Sequence, residues 1–221
     1  NFPRRFVNTG VAEQIMIGMC AGMALRGLRP FAYTIATFTL FRPFEFVRDD
    51  LAYHNLPVTV VGIGGGVTYS TLGGTHHAQE DVAIACAMPN MTVLAPCDPG
   101  EAEAATLWAV SEERHALGPV YLRLGKAGEP DLSANAPETF AFGKLRYLQR
   151  GGDVCILGYG PILKLGFDLA AKFAARGESA SVVSCHTLKP LDRAGLVAAM
   201  AAHKRLVVIE EMAPYGGLGP R

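Results

Sequence analysis

An excess of charge of either sign is missing from this chain: twenty basic and twenty acidic side chains cancel to a formal net charge of zero over 221 residues. With no broad field there is nothing to draw in nucleic acid or an anionic membrane, so any recognition must be local. Cysteine is scarce too, and Cys20, Cys86, Cys97, Cys155 and Cys185 are scattered, odd in number and never spaced as CxxC. That pattern argues against a disulfide framework and a zinc site, and it fits a reducing cytoplasm. No apolar run reaches the roughly 18 residues that a bilayer span requires, since the stretch from Val11 to Leu25 is broken by Gly18 and Gly22. No signal peptide is expected. The chain opens on Asn1 and stops at "APYGGLGPR", so both ends read as cut.

Half of the residues are apolar, enough for one large domain or two modest ones with real cores. Residues 10 to 27 read as a helix capped by Asn8 or Thr9, with Glu13 in or near the first turn and Gly27 as its stop. "RPFAYTIAT" reads as a strand. "LFRPFEFVRDDLAYHN" has the helical spacing of Phe44, Val47 and Leu51, with Pro43 in the first turn, and "PVTVVGIGG" is a β-branched buried strand. A glycine-rich loop, "GGGVTYSTLGGTHHAQED", leads to a helix near 79 to 87, a strand "MTVLAPC", a helix from about 99 to 113 and a strand "PVYLRLG". Strictly alternating strands and helices imply an α/β fold with a parallel sheet covered on both faces. The alternation lapses over 127–143, a segment with the composition of a linker, and restarts over 144–221 as a smaller α/β domain.

Several side chains invite a chemical reading. The glycines at 62 and 64 and at 158 and 160 start a G-x-G-x-x-G pattern, but Val67 and Leu163 stand where the third glycine belongs, so these glycines are read as strand-end turns. His76 and His77 lie in a loop at the carboxyl end of a strand, where open α/β sheets bind ligands; their only local partners for a metal are Glu80 and Asp81. Glu13 suits the positive end of a helix, a use worth a fraction of a kcal/mol. Phe38, Phe41 and Phe44, three apart, suit a core or a flat platform. Arg123 inside an apolar strand requires an anionic partner and is expected to emerge at the strand end. His186 and Glu210 read as solvated loop residues near strand ends.

Taken in order, "GVAEQIMIGMCAGMALRGLRPF", "TFTLF", "LPVTVVGIGGG", "GGTHHAQEDVAIACAMPNMTVLAP" and "PVYLRLGK" resemble the pyrimidine-binding domain of the transketolase family of thiamine diphosphate enzymes. "GGDVCILGYG", "LKPLD" and "VVIEE" followed by "GGLG" are similar to that family's carboxyl-terminal domain. The resemblance implies domains at 1–126 and 144–221, joined by the linker 127–143. It also implies that Glu13 hydrogen-bonds a ring nitrogen of the cofactor's aminopyrimidine, favouring the tautomer from which the thiazolium carbon loses its proton. Such a carboxyl in a dry pocket shares a proton readily with a weakly basic nitrogen. By the same carry-over Phe41 stacks on the pyrimidine with Phe38 as a neighbouring wall, His76 and His77 touch substrate oxygens, and Arg123 falls where a phosphate-binding arginine belongs. A phosphorylated sugar is the implied substrate class.

One departure stands in the substrate loop: "LGGTHH" replaces the usual "DGPTH", so Leu72 occupies the place of a donor-binding Asp and points to a different donor. The family's "GDG…N" segment, which grips the diphosphate and Mg²⁺, is missing from these residues. The resemblance therefore implies an amino-terminal diphosphate-binding subunit or domain holding Mg²⁺, a chain inert by itself, and a homodimer or heterotetramer. The strip of Gly18, Ala21 and Gly22 is the expected packing face. The transfer of a two-carbon ketol unit leads the reading. A 1-deoxyxylulose-5-phosphate synthase, a 2-oxo acid dehydrogenase β-subunit and a non-catalytic assembly subunit stand as alternatives.

Overall fold

The computed structural model describes residues 2–112, 114 and 118–221. Strands β1 (Phe31–Ile35), β2 (Thr59–Ile63), β3 (Thr92–Leu94) and β4 (Val120–Leu124) form a parallel sheet in the order β1-β2-β4-β3. Helices α1 (Glu13–Leu25), the single turn α2 (Phe44–Phe46), α3 (Asp81–Ala87) and α4 (Pro99–Ala109) cover it. Successive strand residues point to opposite faces. Val60, Val93 and Tyr121 enter the larger core with α1 and α3, whereas Val61, Leu94, Val120 and Leu122 pack with Ala105 and Trp108 of α4. A sheet buried on both faces needs continuous apolar strands, which is how these read in sequence.

The carboxyl-terminal unit has a second sheet, with β5 (Arg146–Gln149), β6 (Val154–Gly158), β7 (Ala180–Ser184) and β9 (Arg205–Ile209) in the order β5-β7-β6-β9, alongside α5 (Lys164–Ala174) and α6 (Arg193–Ala202). Two strands depart from the expected parallel alternation. β5 runs antiparallel to β7, and β8 (Thr187–Lys189) leaves its own unit to pair antiparallel with β3 of the first sheet. The two cores are consequently continuous: Cys155, Leu157 and Val183 join the cluster that holds Val60 and Ile17.

Residues 127–143 form no helix or strand, yet they are strapped down. The Phe142 ring stacks on Trp108 at 3.7 Å, and the Leu132 amide donates to Asp98 Oδ2 at 3.0 Å. Arg146 donates from Nη1 to Glu101 Oε1 at 3.2 Å and to Ser133 Oγ at 2.9 Å, while Ser184 Oγ donates to Glu101 Oε2 at 2.9 Å. One buried carboxylate thus ties α4, the strap and both strands β5 and β7 together.

Two local features position the site. Helix α1 starts later than the sequence implies, at Glu13 behind Ala12, with no side-chain cap; Asn8 Oδ1 instead accepts from the Gly10 amide at 2.9 Å. Gly27, at φ +82°, closes the helix as expected. Between β1 and β2 the chain coils through π-type turns at Thr37–Phe41 and Val47–Tyr53 on either side of α2. Pro43 explains the interruption, because it has no N–H to donate to the turn before it. The Arg42 amide closes a five-residue bond to Thr37 O at 3.1 Å, and Val47 N resumes the α pattern on Pro43 O at 3.0 Å. Val47 and Leu51 are buried, but Phe44 is 39 % exposed, so the helix presents a narrower apolar face than its spacing implies.

Candidate active site

Helix α1 runs antiparallel to the strand it precedes, which brings its first residue, Glu13, to the carboxyl edge of the sheet. Phe38 and Phe41 follow β1 directly, and the loop carrying His76 and His77 follows β2, so all of them meet at that edge. Glu13 is only 7 % exposed. Its Oε1 accepts from Arg42 Nη1 at 2.9 Å. The Arg42 guanidinium lies over the Phe38 ring at 4.3 Å, and that ring meets the His76 imidazole edge-on at 5.2 Å. The contacts run unbroken from Glu13 through Arg42 and Phe38 to His76, joining residues from three separate segments. Phe41 is half-buried against the large core.

The histidine loop is pinched at its base by a two-residue bridge, with Gly66 N donating to Ala78 O at 3.0 Å and Ala78 N to Gly66 O at 2.8 Å. His76 Nδ1 pairs with Thr75 Oγ1 at 2.9 Å, and His77 Nε2 lies 3.4 Å from Ser70 O. Leu72 is 53 % exposed on the same loop. The glycines at the base are there for space: a Cβ on Gly65 would come within 2.4 Å of Arg123 Cζ, and one on Gly66 within 2.5 Å of Glu211 Cβ.

Arg123 does not emerge at the strand end. It is 2 % exposed behind the loop, with Nε on Asp81 Oδ2 at 2.8 Å, and the same oxygen accepts from Tyr121 O–H at 2.8 Å. Burial works against its charge, but the Asp81 carboxylate, Tyr121 and Tyr159 together offset this and hold the guanidinium above its ordinary pKa. The anionic partner that the sequence demands is therefore internal: Nε is held by Asp81 and Nη2 lies 3.4 Å from Glu211 O, so the charge sits behind the loop rather than open at the strand end. Asp81 is equally committed, so it offers no ligand to the two histidines. Among the described residues no three His, Cys, Asp or Glu side chains are grouped to hold a metal ion.

Two plain readings are corrected as well. His186 is fully buried, stacked on Phe140 at 4.2 Å, and Glu210 accepts from Tyr159 O–H at 2.9 Å and from the Leu218 amide at 2.7 Å. Both belong to packing around β6, β7 and β9 rather than to solvated loops. Arg42 escaped the sequence reading altogether. Its signal was a lone charge inside the aromatic run "TFTLFRPF".

The donor set at this edge is of the kind an aminopyrimidine would need. It offers one buried carboxylate with Oε2 free of hydrogen-bond donors among the described residues, beside a half-buried aromatic wall. Outward from it, α1 exposes Ile15 at 61 % and Met19 at 37 %, and nothing lies within 4 Å of where a Cβ on Gly18 or Gly22 would sit, whereas Ala21, expected on the same strip, turns into the chain's own core.

Comparison with known proteins matches residues 1–128 to the family model described as the transketolase pyrimidine-binding domain and residues 143–221 to the transketolase C-terminal domain. The chain is 33 % identical over 217 residues to an apulose-4-phosphate transketolase subunit of Phocaeicola vulgatus, covering 98 % of this chain and 68 % of that protein. It is 35 % identical to a putative transketolase C-terminal section of Methanocaldococcus jannaschii over 99 % of this chain and 67 % of the relative. A solved split-gene transketolase, an inactive β4 tetramer, superimposes with a TM-score of 0.87 at 36 % identity, over 99 % of this chain and 69 % of that one. The chain spans about two thirds of the length of these relatives.

Proposed function

We propose, from the premise that this chain belongs to the transketolase family, that it supplies the pyrimidine-binding half of an enzyme moving a two-carbon ketol unit between phosphorylated sugars. The observation that carries the reading is the buried Glu13 carboxylate at the sheet's carboxyl edge, with Arg42, Phe38 and His76 in line beside it. Thiamine diphosphate, the coenzyme of this family, supplies a carbon nucleophile when bound. Glu13 holds or moves a proton at the pyrimidine ring nitrogen through Oε2, Phe41 and Phe38 wall the ring, and His76 presents its imidazole to substrate oxygens. Burial of Glu13 keeps water from competing for that proton. His77 gives the loop a second donor for a sugar phosphate. Leu72, apolar and exposed where a hydroxyl-binding carboxylate is usual, selects against ordinary ketose donors.

The diphosphate and Mg²⁺ belong on a partner subunit or domain facing this edge. Two relatives, one a transketolase subunit and the other a C-terminal section, support a divided enzyme, and the inactivity of the solved β4 tetramer supports a chain that is inert without its counterpart. The open α1 face at Gly18 and Gly22, flanked by Ile15 and Met19, suits assembly into a dimer or larger. In the described residues no helix is long and apolar enough to cross a membrane.

The test is titration of thiamine diphosphate with Mg²⁺ into the chain alone and mixed with its diphosphate-binding partner. Binding and turnover are expected only in the mixture, and tight binding by the lone chain would overturn the divided site. A Glu13→Ala variant in the active mixture is expected to lose most turnover while still binding through the diphosphate. Full turnover in that variant removes Glu13 from the mechanism.

A further inference from the structure

We infer that Arg42 is a positioning residue of the pyrimidine slot: it fixes one oxygen of Glu13 so that the other is aimed at the ring, and it braces the Phe38 wall with the same group. The inference rests on the reading of Glu13 given above. The pair is made by one nitrogen, Arg42 Nη1, on one oxygen, Oε1, at 2.9 Å. A carboxylate has about four acceptor positions over two oxygens, so this contact restrains the group without using it up. Ion pairs near the surface contribute little by themselves, and Arg42 is 42 % exposed. The Glu13 side chain, however, is 9 % exposed, and the guanidinium carbon is also held over the Phe38 ring, 4.3 Å from its centroid.

Arginine alone among the cations provides both contacts at once, a directed N–H and a planar face. The backbone serves this purpose. The wide turn at Thr37–Phe41, just before Pro43, ends with the Arg42 amide on Thr37 O and sets Arg42 over the ring of the residue four before it. The ring so braced is the one that meets His76 at 5.2 Å, so a single guanidinium spaces the proton-handling carboxylate from the substrate loop.

The experiment uses the chain assembled with its diphosphate-binding partner and compares Arg42→Ala, Arg42→Lys, Glu13→Gln and the double variant Glu13→Gln/Arg42→Ala. Thiamine diphosphate affinity is measured by calorimetric titration at saturating Mg²⁺, alongside kcat and KM for the sugar substrate. Arg42→Ala is expected to weaken cofactor binding about fivefold to tenfold, the loss of one charged hydrogen bond, and to lower kcat with KM unchanged. Arg42→Lys, which keeps the charge and guards against a folding defect, should recover only part of both. In the double variant Arg42→Ala should add nothing to the effect of Glu13→Gln. Unchanged or tighter cofactor binding in Arg42→Ala overturns the inference, and so does a change confined to KM, which would make Arg42 a substrate contact. Normal turnover in Glu13→Gln would instead overturn the function proposed for the site, a distinguishable failure.

Discussion

Replacing Arg123 by Met tests the interior of this fold most directly. The side chain is 2 % exposed and its partner Asp81 is fully buried, so the substitution strands a carboxylate whose remaining donors are Tyr121 O–H at 2.8 Å and the Val82 amide at 2.9 Å. Breaking a buried pair from one side costs about 3–5 kcal/mol, because the surviving charge keeps its desolvation penalty without its counter-ion. For a chain of this size that corresponds to a fall of roughly 6–20 °C in Tm. Circular dichroism melts and urea midpoints of the purified chain give the number. The double variant Asp81→Asn/Arg123→Met should recover most of the loss, since the amide still accepts from Tyr121 and no charge is stranded. A loss below about 1 kcal/mol in the single variant, within the range of surface substitutions, would refute the reasoning. It would mean that the guanidinium does not neutralise Asp81, and Arg123 would return as a candidate for binding substrate phosphate.

Three further outcomes are expected. Gly65→Ala, whose new methyl group would lie 2.4 Å from Arg123 Cζ, should destabilise by about 1–3 kcal/mol and loosen the histidine loop, read as faster amide exchange over 66–78. Burial holds the His186 imidazole below its ordinary value, with Glu101 pulling the other way. Below about pH 6.5 the unfolded chain therefore binds a proton that the folded one refuses, so stability falls as pH drops toward 5, and His186→Phe should flatten that limb of a urea-midpoint profile. Burial also pushes the Cys20 and Cys155 thiols up to about 11 and Cys185 to about 12, so the native chain should expose at most Cys86 to a colorimetric thiol reagent within minutes.

The sequence announces its own elements well where the signal is local. Apolar β-branched runs separated by small-residue helices are sufficient for two α/β units, and Gly27 ends α1 where its place in the pattern implies. Glu13, Phe38 and His76 draw notice in the chain itself, but only the family resemblance implies their roles. What the sequence left unread or misplaced shares one cause. Thr187–Lys189 is too short to declare which sheet it joins, and it pairs with a strand some ninety positions earlier. His186 and Glu210 look solvated because they stand near strand ends, and the burial of His186 and the hydrogen bonds to Glu210 come from elements distant in sequence.

Periodicity and composition by themselves determined the alternation of strands and helices, the absence of a long-range field and the residues available for chemistry, because each follows from neighbours along the backbone. Only the tertiary structure decided which charges face one another. Arg123 meets Asp81 across 42 positions and Arg42 meets Glu13 across 29. Those partners are set by strand order and by the direction in which each helix returns. An ion pair is a property of distance and burial, and a linear chain specifies neither until it has folded.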